Sequence, residues 1–478
     1  MALSHMSYSG HARAVMVLGL PLIGGHLGQT AIGITDTIML GRYGVEELAA
    51  MTAAGSFFFV LFLMGSGFAW AVMPMVASYH AEGNEIALRR ATRMGLWLST
   101  GFAVAVMPLM IWSEAILLAL GQSEQVARDG ADYLRIAGWG IFPALIVMTF
   151  KSYLAALERT QIVLWITLVA AVINGLANYA FIFGNWGAPE MGIEGAAVAS
   201  LVTQAVSLVG VILYALWALP RHAILVRLWR PDFDMLGRVF QLGWPIGLTS
   251  LSEVGLFAAS AFMMGWIGTV PLAAHGIALQ LASITFMVHL GLGNVATIRA
   301  GNAYGRRDLS HMKRGARTVI AMSLAMALAT IVLFITLPEQ LIAIFVDAGQ
   351  EARDEVVAIG VVLLALAALF QLVDGAQVVA LGLLRGVQDA KVPMVLAAVS
   401  YWVVGMPVSY VLGFVLGWDG VGVWLGLTLG LACAGVGLMI RFWWVMVPRL
   451  AHGEAADAPA DPAHALLDNP PVVPQQRP

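Results

Sequence analysis

The chain predicts an all-α integral membrane protein of twelve transmembrane helices in two pseudo-symmetric six-helix lobes. Three observations carry that prediction. Of its 478 residues, 60% are hydrophobic and only 11% charged, and the mean hydropathy is +0.84, whereas soluble domains carry about 25% charged residues. The apolar residues fall into runs of roughly 20 to 26 residues, the length a helix needs to cross about 30 Å of hydrocarbon at 1.5 Å per residue. Finally, "LGLP" at 18–21 returns as "LGWP" at 242–245, and "MLGRYGVEELAA" at 39–50 returns as "MMGWIGTVPLAA" at 263–274, both displaced by 224 residues.

The runs are bounded in order by charge. The first, 14–36, follows Arg13 and stops short of Arg42; the second, 48–75, opens after Glu46 and Glu47. The third, 94–118, begins after Arg89, Arg90 and Arg93, the fourth, 131–150, ends at Lys151, and the fifth, 160–182, opens after Arg159. The sixth, 192–217, stops before Arg221, the seventh, 239–262, follows Arg238, and the eighth, 275–298, ends at Arg299. The ninth, 318–337, follows Arg317, the tenth, 356–381, lies between Arg353 and Arg385, the eleventh, 392–416, follows Lys391, and the twelfth, 421–443, closes the series. Strands of a membrane barrel would alternate over about ten residues, and these runs do not.

With both termini in the cytoplasm, 21 of the 25 Lys and Arg residues fall on the inner side and only Arg42, Arg128, Arg135 and Arg353 outside. This bias supports an even number of spans and sets the orientation. The expected organisation is an N-terminal lobe over 1–220, a cytoplasmic linker over 221–238, a C-terminal lobe over 239–447 and a disordered Ala/Pro/Asp-rich cytoplasmic tail over 448–478. Arg13 leads straight into a long first run, so no cleavable signal is expected. The single cysteine, Cys433, is read as a packing residue. No basic run reads as a nucleic-acid surface. Six spans per half leave the two copies parallel about an axis along the membrane normal, with a cavity between them that rocking can open to either side in turn.

Three acids lie well inside the runs: Asp36, Glu253 and Asp374. No Lys or Arg is expected at matching depth. A carboxylate is costly in hydrocarbon, so each should face the bundle interior or a wet cavity and be protonated, hold a cation, or both. Asn174 and Asn178 are spaced i,i+4 on one face of the fifth span, where their amides can ligate a cation, hold the Asp36 carboxyl, or act as interhelical glue. Thr203 offers a hydroxyl from the sixth span, although a bond to its own helix is the simpler expectation, and Tyr179 points elsewhere. Glu253 and Asp374, about 22 and 16 Å along their helices from the inner ends, are expected near mid-membrane in one lobe, as coupled titrating groups or paired sodium ligands. Phe257, one turn after Glu253, and Gln280 are candidate substrate contacts. Pro21 and Pro245 occupy equivalent places in the two halves and can bend their helices. His26, His275 and His289 are isolated, which suits interhelical hydrogen bonds better than a metal site.

The sequence resembles the multidrug and toxic compound extrusion family, and within it the bacterial NorM branch. Pro21, "DTIMLGRYG" from Asp36, "NGLANYAFIFG" from Asn174, "LGWPIG" followed by Glu253, and Asp374 with "LGLLRGVQDAK" at 381–391 carry the resemblance. It implies a monomeric exporter in the bacterial inner membrane that moves cationic or amphipathic organic compounds in exchange for Na+ or H+, with no tightly bound cofactor. No span holds a nucleophile and base pair, so an enzyme is not expected. A lipid-linked saccharide flippase of related architecture is the alternative; its anionic substrate calls for basic residues where this chain has acids.

Overall fold

The computed structural model describes residues 6–346 and 352–452. Twelve helices in it are long and apolar enough to span a membrane: α1 Tyr8–Tyr43, α2 Val45–Glu82, α3 Glu85–Ile111, α4 Glu124–Ala156, α5 Thr160–Phe183, α6 Gly192–Ala218, α7 Phe233–Ile267, α8 Thr269–Gly305, α9 Leu309–Thr336, α10 Arg353–Gly386, α11 Lys391–Val415 and α12 Asp419–Ala451. They are longer than the apolar runs because the polar ends continue the helical hydrogen bonding beyond the hydrocarbon. The expected tail lies almost wholly outside the described residues.

Local chemistry sets the ends. Ser7, Asn84, Asp232 and Asp308 cap α1, α3, α7 and α9, each side chain accepting from a backbone N–H of the first turn. Gly83 ends α2 and Gly184 ends α5 in the left-handed conformation, at φ of 75° and 68°, which a residue with a Cβ adopts only at a cost. Pro21 and Pro245 are buried and neither interrupts its helix. The chain does loosen elsewhere: a 3₁₀ turn at Gly138–Gly140 sits within α4, and α11 has π-helical turns at Val399–Gly405 and Val411–Val415 on either side of Pro407, whose missing N–H favours such a shift.

Packing divides the molecule along its long axis. At the end that carries the termini, a single buried core takes residues from both lobes, among them Val15 of α1, Val76 of α2, Tyr153 of α4, Ile246 of α7, Val295 of α8 and Leu384 of α10. Toward the other end the cores are separate. One lies wholly within the C-terminal lobe, around Leu256, Phe370 and Trp424, and two lie within the N-terminal lobe, around Leu145 and Leu40. The change is visible within a single helix: residues 291–303 of α8 are buried apart from Asn294, whereas most of 269–290 is not. The joint is tight because α2 and α7 meet through glycine; a Cβ added to Gly67 would stand 2.4 Å from the Gly243 carbonyl and 2.5 Å from the Gly247 nitrogen. The two lobes therefore form a V, closed at the termini-bearing end and open at the far end.

Two expectations need correction. Lys151 and Arg299 lie inside helices rather than in loops: Lys151 Nζ donates to Thr167 Oγ1 at 2.9 Å, and Arg299 is only 7% exposed. Their long side chains reach polar partners between helices, which a loop assignment from charge alone overlooks. Cys433 is exposed on α12, because its register places it on the outer face of the bundle while Leu431 and Ala434 take the core. Between α6 and α7 the chain is pinned from α3, where Arg93 donates to the carbonyls of Ala223 and Ile224 at 2.7 Å each and Arg90 forms a bidentate pair with Asp232.

Candidate functional site

In the N-terminal lobe, α1 packs along α5, and the i,i+4 spacing on α5 aims both asparagines at one point of α1. Asp36 Oδ1 accepts from Asn174 Nδ2 at 2.9 Å and from Asn178 Nδ2 at 2.6 Å. Asn178 Nδ2 also approaches Asn174 Oδ1 at 3.3 Å. Both asparagines are fully buried, while Asp36 is half-buried. Tyr133 of α4, with Ser200 of α6 beside it, is near enough to feel the Asp36 charge. Asn178 Oδ1 is buried with no hydrogen-bond partner. Thr203 bonds back to Ala199 of its own helix at 2.7 Å, and Tyr179 turns outward against Trp186.

In the C-terminal lobe, Glu253 of α7 and Asp374 of α10 are close enough for their charges to act on each other. Asp374 is 1% exposed and Glu253 is half-buried. Around them stand two glutamines and a tyrosine, Gln371, Gln377 and Tyr401, none of which is conspicuous by charge in the sequence. Gln377 donates to the Tyr401 hydroxyl and faces Glu253, while Gln371 donates to the Ala282 carbonyl at 2.9 Å. The arrangement leaves four buried oxygens without a donor: Glu253 Oε1, Asp374 Oδ1, Gln371 Oε1 and Gln377 Oε1. Buried acceptors of this kind are met by water, by a hard cation or, at the carboxyls, by a proton. Gln371 and Gln377 were legible in principle. They flank Asp374 at i−3 and i+3 in "FQLVDGAQVV", the spacing that puts all three on neighbouring turns of one face. Tyr401 reaches the cluster only through folding.

One base nevertheless comes within electrostatic reach of these acids. Arg385, at the inner end of α10, is close enough for its charge to act on Glu253. Its guanidinium also lies 5.9 Å from the Trp70 ring of α2, so it touches both lobes. Phe257 meets Phe370 edge on at 5.9 Å and packs against the lobe core; Gln280 is exposed on α8. The three histidines make interhelical hydrogen bonds: His26 with Asn294 at 3.0 Å, His275 with Trp424 at 3.1 Å and His289 with Ser323 at 2.9 Å. Among the described residues no group of three or more His, Cys, Asp or Glu is placed to hold a metal.

Two six-helix lobes meeting in a V, one with a single acid and the other with a pair of acids beside amides, define a membrane transporter rather than an enzyme. Residues 21–180 and 245–411 match the MatE family, and the chain belongs to it as a MATE-type efflux transporter. It is 43% identical over 91% of its length to a probable multidrug resistance protein NorM of Agrobacterium fabrum, covering 94% of that protein, and 44% identical over 93% to one of Rhizobium meliloti, covering 95% of it. Among solved structures it is similar to the eukaryotic MATE transporter AtDTX14, with a TM-score of 0.82 at 17% identity, covering 95% of this chain and all of that one.

Proposed function

We propose that this protein is a NorM-like antiporter of the bacterial inner membrane, exporting cationic or amphipathic organic compounds in exchange for Na+ or H+. The observation that carries the coupling is the C-terminal cluster, where two neighbouring buried carboxyls and two glutamines leave four oxygens without donors. A site of that kind gains a proton or a cation readily from one side and must give it up to reset. Asp36 with its two asparagines is the corresponding element of the other lobe, and its occupancy biases α1 between two shapes about Pro21. Pro245 supplies the equivalent compliance in α7.

With the termini in the cytoplasm, the V opens to the outside, so the molecule stands ready to release substrate and to take up the coupling ion. It works as a monomer, since each chain carries both lobes and both acid sites. The names of its relatives support the efflux of drugs, and acids rather than bases dominate the two polar clusters, which favours cationic substrates over the anionic ones of a saccharide flippase. The test is reconstitution in liposomes with sodium and proton gradients imposed independently while an organic cation is followed. Movement of the organic cation against at least one gradient is expected; transport indifferent to both ends the reading.

A further inference from the structure

A third polar cluster lies where the two lobes part. Lys151 of α4 donates to Thr167 of α5, and among the described residues no carboxylate pairs with it. Its charge acts on His26 of α1, and His26 in turn bonds Asn294 of α8 across the lobe boundary at 3.0 Å. Gly28 lets α1 approach at this level, since a Cβ there would stand 3.2 Å from the Thr167 methyl. Lys151, His26 and Asn294 are each half-buried. Lys151 and Asn294 sit in stretches that are otherwise buried: residues 149–157 apart from Lys151, and 291–303 apart from Asn294. Surface confined to single polar residues inside a buried joint faces an internal opening, here the floor of the V, rather than lipid.

A desolvated ammonium without a counter-ion is as unfavourable as a lone carboxylate, and a hydroxyl repays only part of that cost. An ammonium, an imidazole and an amide converging on one opening match an anionic group of modest size, such as a carboxylate. Asp36 lies ten residues further along α1, about 15 Å at the helical rise, which is within the length of a drug-sized molecule.

We infer that Lys151, His26 and Asn294 form a second subsite, at the floor of the cleft, that takes the carboxylate of a zwitterionic amphipathic substrate whose cationic centre lies toward the acids above. This deepens the export reading and rests on it. It adds a reason for the chain to carry a base among its acids: the substrate class includes molecules with both charges.

The test uses the full-length protein in lipid nanodiscs and two fluorescent probes, an aromatic ammonium carboxylate and its methyl ester, titrated by anisotropy. The subsite predicts that Lys151→Gln lowers the ratio of carboxylate to ester affinity about ten-fold, the loss of one charge-assisted hydrogen bond, and that Lys151→Arg largely restores it. Asn294→Asp, which puts a resident carboxylate beside His26 in the same cluster, makes the same prediction by a different route and serves where Lys151→Gln fails to fold. An unchanged ratio in both Lys151→Gln and Asn294→Asp, or in Asn294→Asp alone where the lysine variant does not fold, overturns the subsite and leaves Lys151 a packing residue bound to Thr167. Because the readout is binding, it stands apart from the liposome experiment: wild-type protein that moves neither probe under either gradient defeats the export reading, while the affinity ratio still decides the subsite.

Discussion

Asp36 and the Glu253–Asp374 pair put the same functional group in the same kind of helix, yet their surroundings are opposite. In the N-terminal lobe one carboxylate oxygen accepts two amide N–H groups, so neutral donors already hold the charge. In the C-terminal lobe two acids stand together; Gln371 gives its donor to the Ala282 carbonyl, Gln377 serves both Tyr401 and Glu253, and one oxygen of each acid is left over. A carboxylate held by two amides is fixed in place, whereas two neighbouring carboxyls with oxygens left over have room for a shared proton or cation. On the proposed antiport reading, the C-terminal pair is then the main ion-coupling element and Asp36 the second.

The largest effect should follow from removing the C-terminal charge. Glu253→Gln with Asp374→Asn keeps side-chain volume but leaves nothing to exchange, so gradient-driven export in proteoliposomes should fall to the level of protein-free vesicles. Wild-type export by that double variant, at wild-type membrane abundance, would break the division between the lobes.

Asp36→Asn comes next. The new amide keeps most of the hydrogen bonding, so the protein should insert and melt within about 1 kcal/mol of wild type, while export collapses for want of a charge change. A packing role predicts the reverse, tolerance of Asn and failure of Asp36→Ala, and near-normal export by Asp36→Asn removes the switch from this lobe.

Within that lobe the asparagines should differ. The bond from Asn178 is shorter than that from Asn174, at 2.6 against 2.9 Å, so Asn178→Ala should cost more, by thermal denaturation in detergent, than Asn174→Ala. Each loss should fall in the range of about 1–3 kcal/mol for a bond to a charged group. Equal losses would mean that Asp36 recentres on whichever amide remains.

The smallest effect concerns the joint between the lobes. Asp232 caps α7 and pairs with Arg90, which holds its carboxyl below the usual carboxylate range. Because the folded value is depressed, the stabilisation is present at neutral pH, begins to fall near the unfolded value of about 4 and is lost as pH drops through the folded value. The pair is partly solvent-screened, so Asp232→Asn should cost only about 1 kcal/mol at pH 7 and flatten the acid limb of a stability profile. A profile identical to wild type would assign the pinning of this segment to Arg93 and its two carbonyl partners alone.

Sequence alone determined the twelve spans, because burying an unpaired backbone in hydrocarbon is so costly that a long apolar run has no alternative to a helix. It also made Asp36 and the i,i+4 pair Asn174 and Asn178 conspicuous against apolar surroundings, while their meeting waited on the packing of the first helix against the fifth. Tertiary structure decided what depends on reach and register. Arg385 comes within electrostatic reach of Glu253, Tyr401 arrives from the eleventh helix, and His26 bonds Asn294 across the lobe boundary. It alone decided which end of the V is closed, because that rests on glycines such as Gly67 and Gly247 touching across the lobes, a contact between residues 180 positions apart that leaves no mark in the hydropathy of either helix.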